Sequence, residues 1–202
     1  MKRILPPLML EYKIIIASLA VIFSLIGYII YIKDIFNGKT KPHAYSWLIW
    51  AVLGGIAFFA QITNNAGPGS WVVGLAMIVS FFVFLLSLKK GEKEITISDS
   101  LSLVGAGFAL ALWYITNNAL GSVILATIIE GFAFYPTVRK SFHKPREETA
   151  LMYGLAGANF GLSIFALETY SMITVLYPAV LVFMNFFLVG VLIIRKSRRT
   201  IS

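Results

Sequence analysis

Three side chains could do chemistry in unusual surroundings: Glu130, Asn159 and Asn185, each set near the centre of a long apolar run. A carboxylate at mid-bilayer depth costs about 2.5–3.5 kcal/mol on insertion scales, so it must face a cavity or a partner rather than lipid. There it can load and release a proton, or it can act as hydrogen-bonded glue between helices. An amide donates and accepts at once, which suits a hydroxylated or zwitterionic solute. Its purely structural use is an interhelical hydrogen bond worth about 0.6 kcal/mol on average. The shared depth of the three points to one midplane site. Trp50, one turn inside its apolar run, and Ser80 are the candidates to complete it.

Other chemistries lack their residues. The sequence contains no HExxH, GxSxG, P-loop or dinucleotide fingerprint. It has no cysteine, hence no disulfide, thiolate nucleophile or sulfur-ligated metal. One intramembrane carboxylate without a second acid, a histidine or a metal cluster offers little acid–base machinery, so neither an enzyme nor a bound cofactor or metal is expected. His43 and His143 fall in basic turns, where a solvated role is expected.

The elements that carry these residues follow from composition. The 202 residues are 58% hydrophobic and 13% charged, with a mean hydropathy of +0.84, too apolar for a soluble domain of this length. Charge and Gly/Asn breaks divide the chain into seven apolar runs, at about 14–32, 47–62, 71–88, 101–115, 122–138, 151–167 and 173–194. A helix needs roughly 20 residues to cross about 30 Å of hydrocarbon, and the alternation of a membrane barrel is absent. The spacing predicts an all-α integral membrane protein of seven transmembrane helices in a single domain, 1–202. Pro6, Pro7 and Glu11 interrupt any resemblance of the start to a signal peptide, so the first run is read as a retained helix.

The net charge of +8 is distributed unevenly. Lys2, Arg3 and Lys13 lie on one side. Lys33, Lys39, Lys41, Lys89, Lys90, Lys93, Arg139, Lys140, Lys144, Arg146, Arg195, Lys196, Arg198 and Arg199 lie on the other. This bias puts the C-terminus in the cytoplasm and the N-terminus outside a plasma (inner) membrane, with the Arg195–Arg199 cluster touching anionic lipid. The basic residues flank spans rather than forming a domain, so nucleic acid is not expected. Trp47, Trp71 and Trp113 sit near span ends and read as an aromatic belt. Glu147 and Glu148 read as favourable charges at the start of the sixth helix.

An internal repeat organises the spans. A shift of 103 residues places Ser24 on Thr127, Tyr31 on Phe134, Lys41-Pro42 on Lys144-Pro145, Ser46 on Thr149, Leu48 on Leu151 and Gly54 on Gly157. Runs one to three (14–88) then fall on runs five to seven (122–194), with run four (101–115) as a linker. Corresponding runs are four crossings apart, so the two copies are parallel, a 3+1+3 arrangement. Runs two and six are short and interrupted, by Gly54-Gly55 and by Gly154, Gly157 and Gly161, a pattern that often borders a transporter's midplane site. The pentapeptide Ile62-Thr63-Asn64-Asn65-Ala66 recurs as Ile115-Thr116-Asn117-Asn118-Ala119 and reads as similar turn chemistry at two hairpins.

With seven spans so divided and Tyr135-Pro136-Thr137-Val138-Arg139-Lys140-Ser141 closing the fifth, the chain resembles the PQ-loop superfamily, which includes the SWEET (MtN3-type) sugar transporters. The naming Pro-Gln pair stands here as Pro136-Thr137, and the aligned first-repeat positions are Lys33-Asp34. The resemblance implies a carrier that rocks two three-helix bundles around a midplane site for a small polar solute, a sugar being the first guess. It implies a solute-contacting role for Asn185, a hinge at Pro136 and a gate at Tyr135. Glu130, Asn159, Trp50 and Ser80 join Asn185 as substrate-binding candidates, Glu130 also for proton coupling. The expected partners are the solute, protons, membrane lipid and a second copy of the chain. The alternative is a membrane receptor or scaffold that binds without transport, as in the similar KDEL receptors.

Overall fold

The computed structural model describes residues 7–93, 96–116 and 118–198. Seven α-helices follow in chain order: α1 (Pro7–Phe36), α2 (Ala44–Thr63), α3 (Trp71–Lys90), α4 (Ile97–Thr116), α5 (Ala119–His143), α6 (Ala150–Phe165) and α7 (Met172–Arg198). Short 3-10 turns, Gly67–Ser70 and Pro145–Glu147, precede α3 and α6, and no strand occurs among the described residues. Among the described residues five helices, α1, α2, α3, α5 and α7, are long and apolar enough to cross a membrane. At 16 residues α6 is apolar but shorter. Lys2, Arg3, Asn117, Arg199 and the side chain of Trp113 lie outside the described residues.

The outside is strongly apolar, and the interior combines apolar clusters with buried polar side chains. Ile15, Ile29, Ile78, Phe132, Phe165 and Phe183 are exposed, while Glu130, Asn159, Asn185, Ser46 and Gln61 are buried. In water this would leave apolar patches far beyond those that soluble monomers carry; against hydrocarbon it is the stable arrangement. Several apolar helices with polar interiors fit a multi-pass membrane protein.

Helix packing follows one rule. In the first half α3 packs against both α1 and α2, and in the second α7 packs against both α5 and α6. Between halves, α1 meets α6 and α2 meets α5, while α4 lies along α5 and α2. Small residues set the closest approaches. Gly54 and Gly55 face Met77 of α3, and a Cβ at Gly157 would come within 3.0 Å of the Phe186 ring on α7. The glycines of α2 and α6 therefore each admit the third helix of their own half.

Two helices are interrupted by proline, α5 at Pro136 and α7 at Pro178. Proline cannot donate to the carbonyl four residues back. At Pro178 that carbonyl belongs to Thr174, and the Gln61 side chain of α2 donates to it at 2.8 Å. Beside Pro136, Ser46 of α2 donates to the Ala133 carbonyl at 2.9 Å, and the Thr137 hydroxyl reaches Ser46 at 3.3 Å. One helix, α2, thus braces both interruptions.

The helices run longer than the apolar runs at most ends, because polar residues continue a helix once its backbone is bonded. The described part of the first extends back to Pro7, and the fifth passes through Pro136 to His143. The sixth stops at Phe165 rather than Leu167, whose carbonyl accepts from the Lys13 ammonium of α1. The two repeated pentapeptides differ in conformation. Asn65 turns through φ 55° into a 3-10 segment, whereas Asn118 is extended and caps α5, its side chain accepting from Gly121 N–H at 3.0 Å. Trp47 is fully buried against Tyr31, not at a headgroup belt, and Trp71 alone of that set is seen exposed.

Candidate functional site

Six helices, all but α4, line a cavity of about 50 Å³. At roughly 10–15 Å³ per water, it has room for a few waters. Tyr28 of α1 lines it, with Trp47, Trp50 and Gly54 of α2 and Val73, Ala76 and Ser80 of α3. The second half contributes Glu130 and Phe134 of α5, Met152, Tyr153, Ala156 and Phe160 of α6, and Tyr177, Leu181 and Asn185 of α7. Four sequence-predicted residues, Glu130, Asn185, Trp50 and Ser80, therefore share one wall-to-wall space.

Glu130 is 1% exposed. Its Oε2 accepts from the Tyr177 hydroxyl at 3.0 Å, and its Oε1 has no protein partner. The indole N–H of Trp50 is likewise buried without one. Unmet buried polar atoms carry a penalty of about 1–3 kcal/mol, which a hydrogen-bonding guest would relieve. Asn185 spends a donor on the Leu181 carbonyl of its own helix at 2.8 Å, a bond that keeps the amide buried without fixing it to a neighbouring helix.

The other sequence-predicted residues are placed elsewhere. Asn159 borders a closed crevice with Ser24 and Gly27, behind Tyr28, Met152 and Ala156, and its Oδ1 has no protein partner. Pro136 is buried in α5, on the lysine-rich side of Glu130, where the braces from α2 meet it. Tyr135 is 51% exposed and is not among the cavity-lining residues, so its side chain is directed away from the path it was expected to gate.

The lysine-rich end of the cavity is closed by a polar cluster that sequence reasoning missed. Lys140 of α5 pairs with Glu148 at 2.7 Å, both side chains at most 3% exposed. Tyr31 and Tyr153 donate to Glu148 Oε2 at 3.3 and 3.1 Å. Lys140 also donates to the carbonyls of Lys41 and Glu147, and Lys196 of α7 donates to the Glu148 carbonyl at 2.9 Å. Around it, Thr149 donates to Asp34 at 2.8 Å and Lys41 pairs with Glu147 at 2.8 Å, a bond that raises the Lys41 pKa above its usual value. Lys140 and Glu148 are thus buried links between elements, and the half-buried Lys196 joins them through the Glu148 carbonyl. His43, too, is buried, while His143 is exposed. The one available signal was the alternation of sign in Lys140, Glu147 and Glu148 across a short turn.

The opposite end is closed by main chain. Ala66 accepts from Glu168 N–H at 2.9 Å, Gln61 holds Thr174, and Lys13 holds Leu167. Gly69 sits so close to α6 that a Cβ there would lie 2.7 Å from the Ser163 carbonyl. Contacts at both ends of the bundle thus join one half of the chain to the other. Among the described residues no group of His, Cys, Asp and Glu could hold a metal ion. No family model, curated protein or solved structure matches the chain.

Proposed function

We propose that the protein is a membrane carrier for a small polar solute, working by alternating access between two parallel three-helix units, α1–α3 and α5–α7, linked by α4. The observation that carries this reading is Glu130, a buried carboxylate with one unpartnered oxygen in a cavity lined by both units. The packing supports the repeat, because exchanging α1, α2 and α3 for α5, α6 and α7 maps each observed pairing among those six helices onto another, while the contacts of α4 with α5 and α2 have no counterpart. It also favours movement. The bridges between the units are hydrogen bonds at both ends, joined at the lysine-rich end by the Lys41–Glu147 ion pair, and they can break at one end while the other stays closed.

In this reading the lysine-rich end is cytoplasmic, Lys140, Glu148, Tyr31 and Tyr153 form its gate, and Pro136 with Pro178 lets α5 and α7 bend. Glu130 couples solute to protons, Trp50, Ser80 and Asn185 contact solute, and Asn159 joins them when Tyr28 and Met152 move aside. The test is solute-driven thermal stabilisation of purified protein, followed by uptake into sealed proteoliposomes. Flux that depends on Glu130 supports a carrier. Saturable binding with no flux assigns the protein instead to the receptor or scaffold class.

A further inference from the structure

The chemistry of the cavity wall narrows the solute, granted that the cavity is the solute site. Seven of its sixteen lining residues are aromatic, and the only charged one is Glu130. Trp50 packs edge-on to Trp47 at 4.9 Å and lies 5.4 Å from Phe134, so the rings form a continuous wall. Ring faces carry the negative part of an aromatic quadrupole and attract cations, by about 2 kcal/mol or more when water is excluded. A carboxylate adds to the same sign of field. An anionic guest would be repelled, and a neutral polyol would need an array of directional partners. Two of the wall's hydroxyls are already committed, Tyr177 to Glu130 and Tyr153 to Glu148, which leaves Tyr28, Ser80 and Asn185 as its remaining polar side chains beside Trp50 and Glu130. The two fully buried polar atoms of the wall without a protein partner are Glu130 Oε1, which calls for positive charge, and Trp50 Nε1–H, which calls for an acceptor.

We infer that the solute is a small organic monocation bearing a hydrogen-bond acceptor, such as a hydroxylated quaternary ammonium, and that it exchanges with a proton at Glu130. The cationic end lies against the carboxylate and the ring faces, and the acceptor meets the Trp50 N–H. Binding to the protonated site breaks the Glu130 O–H bond and releases its proton to solvent; reprotonation displaces the cation. One positive charge leaves as one enters, so no net charge accumulates in the hydrocarbon. The groups that face Glu130 are consistent with a single titrating site. Helices α1, α6 and α7 present the tyrosines Tyr28, Tyr153 and Tyr177, while α2 and α3 present Trp47, Trp50 and Ser80. Glu148 is already paired with Lys140.

The experiment uses purified full-length protein and three probes: choline, its uncharged isostere 3,3-dimethyl-1-butanol, and tetramethylammonium, which lacks the acceptor. Choline is expected to raise Tm more at pH 7.5 than at pH 5.5 and to release about one proton per molecule bound in weak buffer. The isostere should do neither, and glucose should not stabilise. Tetramethylammonium should bind about fivefold more weakly than choline, the worth of one neutral hydrogen bond. W50F, which keeps an aromatic face, should remove that difference, and E130Q should abolish the response to both cations. Equal stabilisation by the isostere or by glucose would overturn the cation assignment and leave a neutral-solute carrier standing. Folded protein that neither binds choline nor releases a proton would overturn it as well. Choline binding with proton release but no exchange in proteoliposomes would retain the cation site and remove the carrier.

Discussion

Glu130 and Glu148 are both buried carboxylates, yet their surroundings assign them different work. Glu148 is saturated by a lysine and two tyrosine hydroxyls, and its main-chain carbonyl accepts from Lys196. Glu130 has one tyrosine and an open oxygen. Replacing Glu130 by Gln preserves an acceptor for Tyr177, so the fold should survive with a near-unchanged Tm while uptake loses its pH dependence; a pH-dependent uptake in E130Q would remove the coupling role. Replacing Lys140 by Met leaves Glu148 buried without its cation, and breaking one partner of such a pair costs about 3–5 kcal/mol. Denaturant unfolding in detergent should show that loss for K140M and recover much of it in K140M combined with E148L. At this scale the sequence was legible where a residue was out of place in its run. Glu130 announced itself by depth alone. Lys140 did not, because a lysine in a basic turn looks like every other lysine there until its buried pairing with Glu148 is known.

At the scale of elements, the relation of α2 to α5 and α7 is the most testable feature. Gln61 matters because Pro178 frees the Thr174 carbonyl; without the proline, residue 178 would supply its own N–H. Gln61→Ala should therefore destabilise by about 1–3 kcal/mol in the natural background. In P178A the same change should cost distinctly less, a coupling that a double-mutant cycle in thermal or denaturant unfolding measures. Equal costs in both backgrounds would mean that Gln61 is not a cap. Gly157→Val offers a packing counterpart. The added side chain meets Phe186, and overpacking of that kind costs about 1–3 kcal/mol. Helix positions were readable from apolar runs because membrane spans are long and uniform. Their ends were not, since an end depends on which distant group takes the last carbonyls, as Lys13 does at Leu167. Nor could a repeated pentapeptide reveal that one Asn would turn left-handed and the other would cap a helix.

For the whole molecule, the proposed pair of three-helix units rests on a shift of 103 residues read from a handful of letters and on the pairings among α1–α3 and α5–α7. The proposed orientation has a direct test, because the natural chain contains no cysteine. Lys39→Cys and Thr169→Cys place single thiols on exposed turns at opposite ends. A membrane-impermeant maleimide applied to intact cells should label the second and spare the first until the cells are opened. The reverse pattern would invert the topology and, with it, the side on which the Lys140–Glu148 gate faces.

The cross-pairing of halves also sets a timetable for making the protein. Ser46 bonds to a carbonyl 87 residues further on, Gln61 to one 113 residues on and Lys13 to one 154 residues on. At about 5–20 residues per second, these polar groups of α1 and α2 wait several seconds to half a minute for partners still being synthesised. Through that interval the nascent first half exposes, inside or beside the bilayer, the polar face that the second half will cover. Its biogenesis must therefore include a shelter for hydrophilic side chains within the membrane, and a truncated first half should be a substrate for quality-control proteolysis rather than a stable fragment.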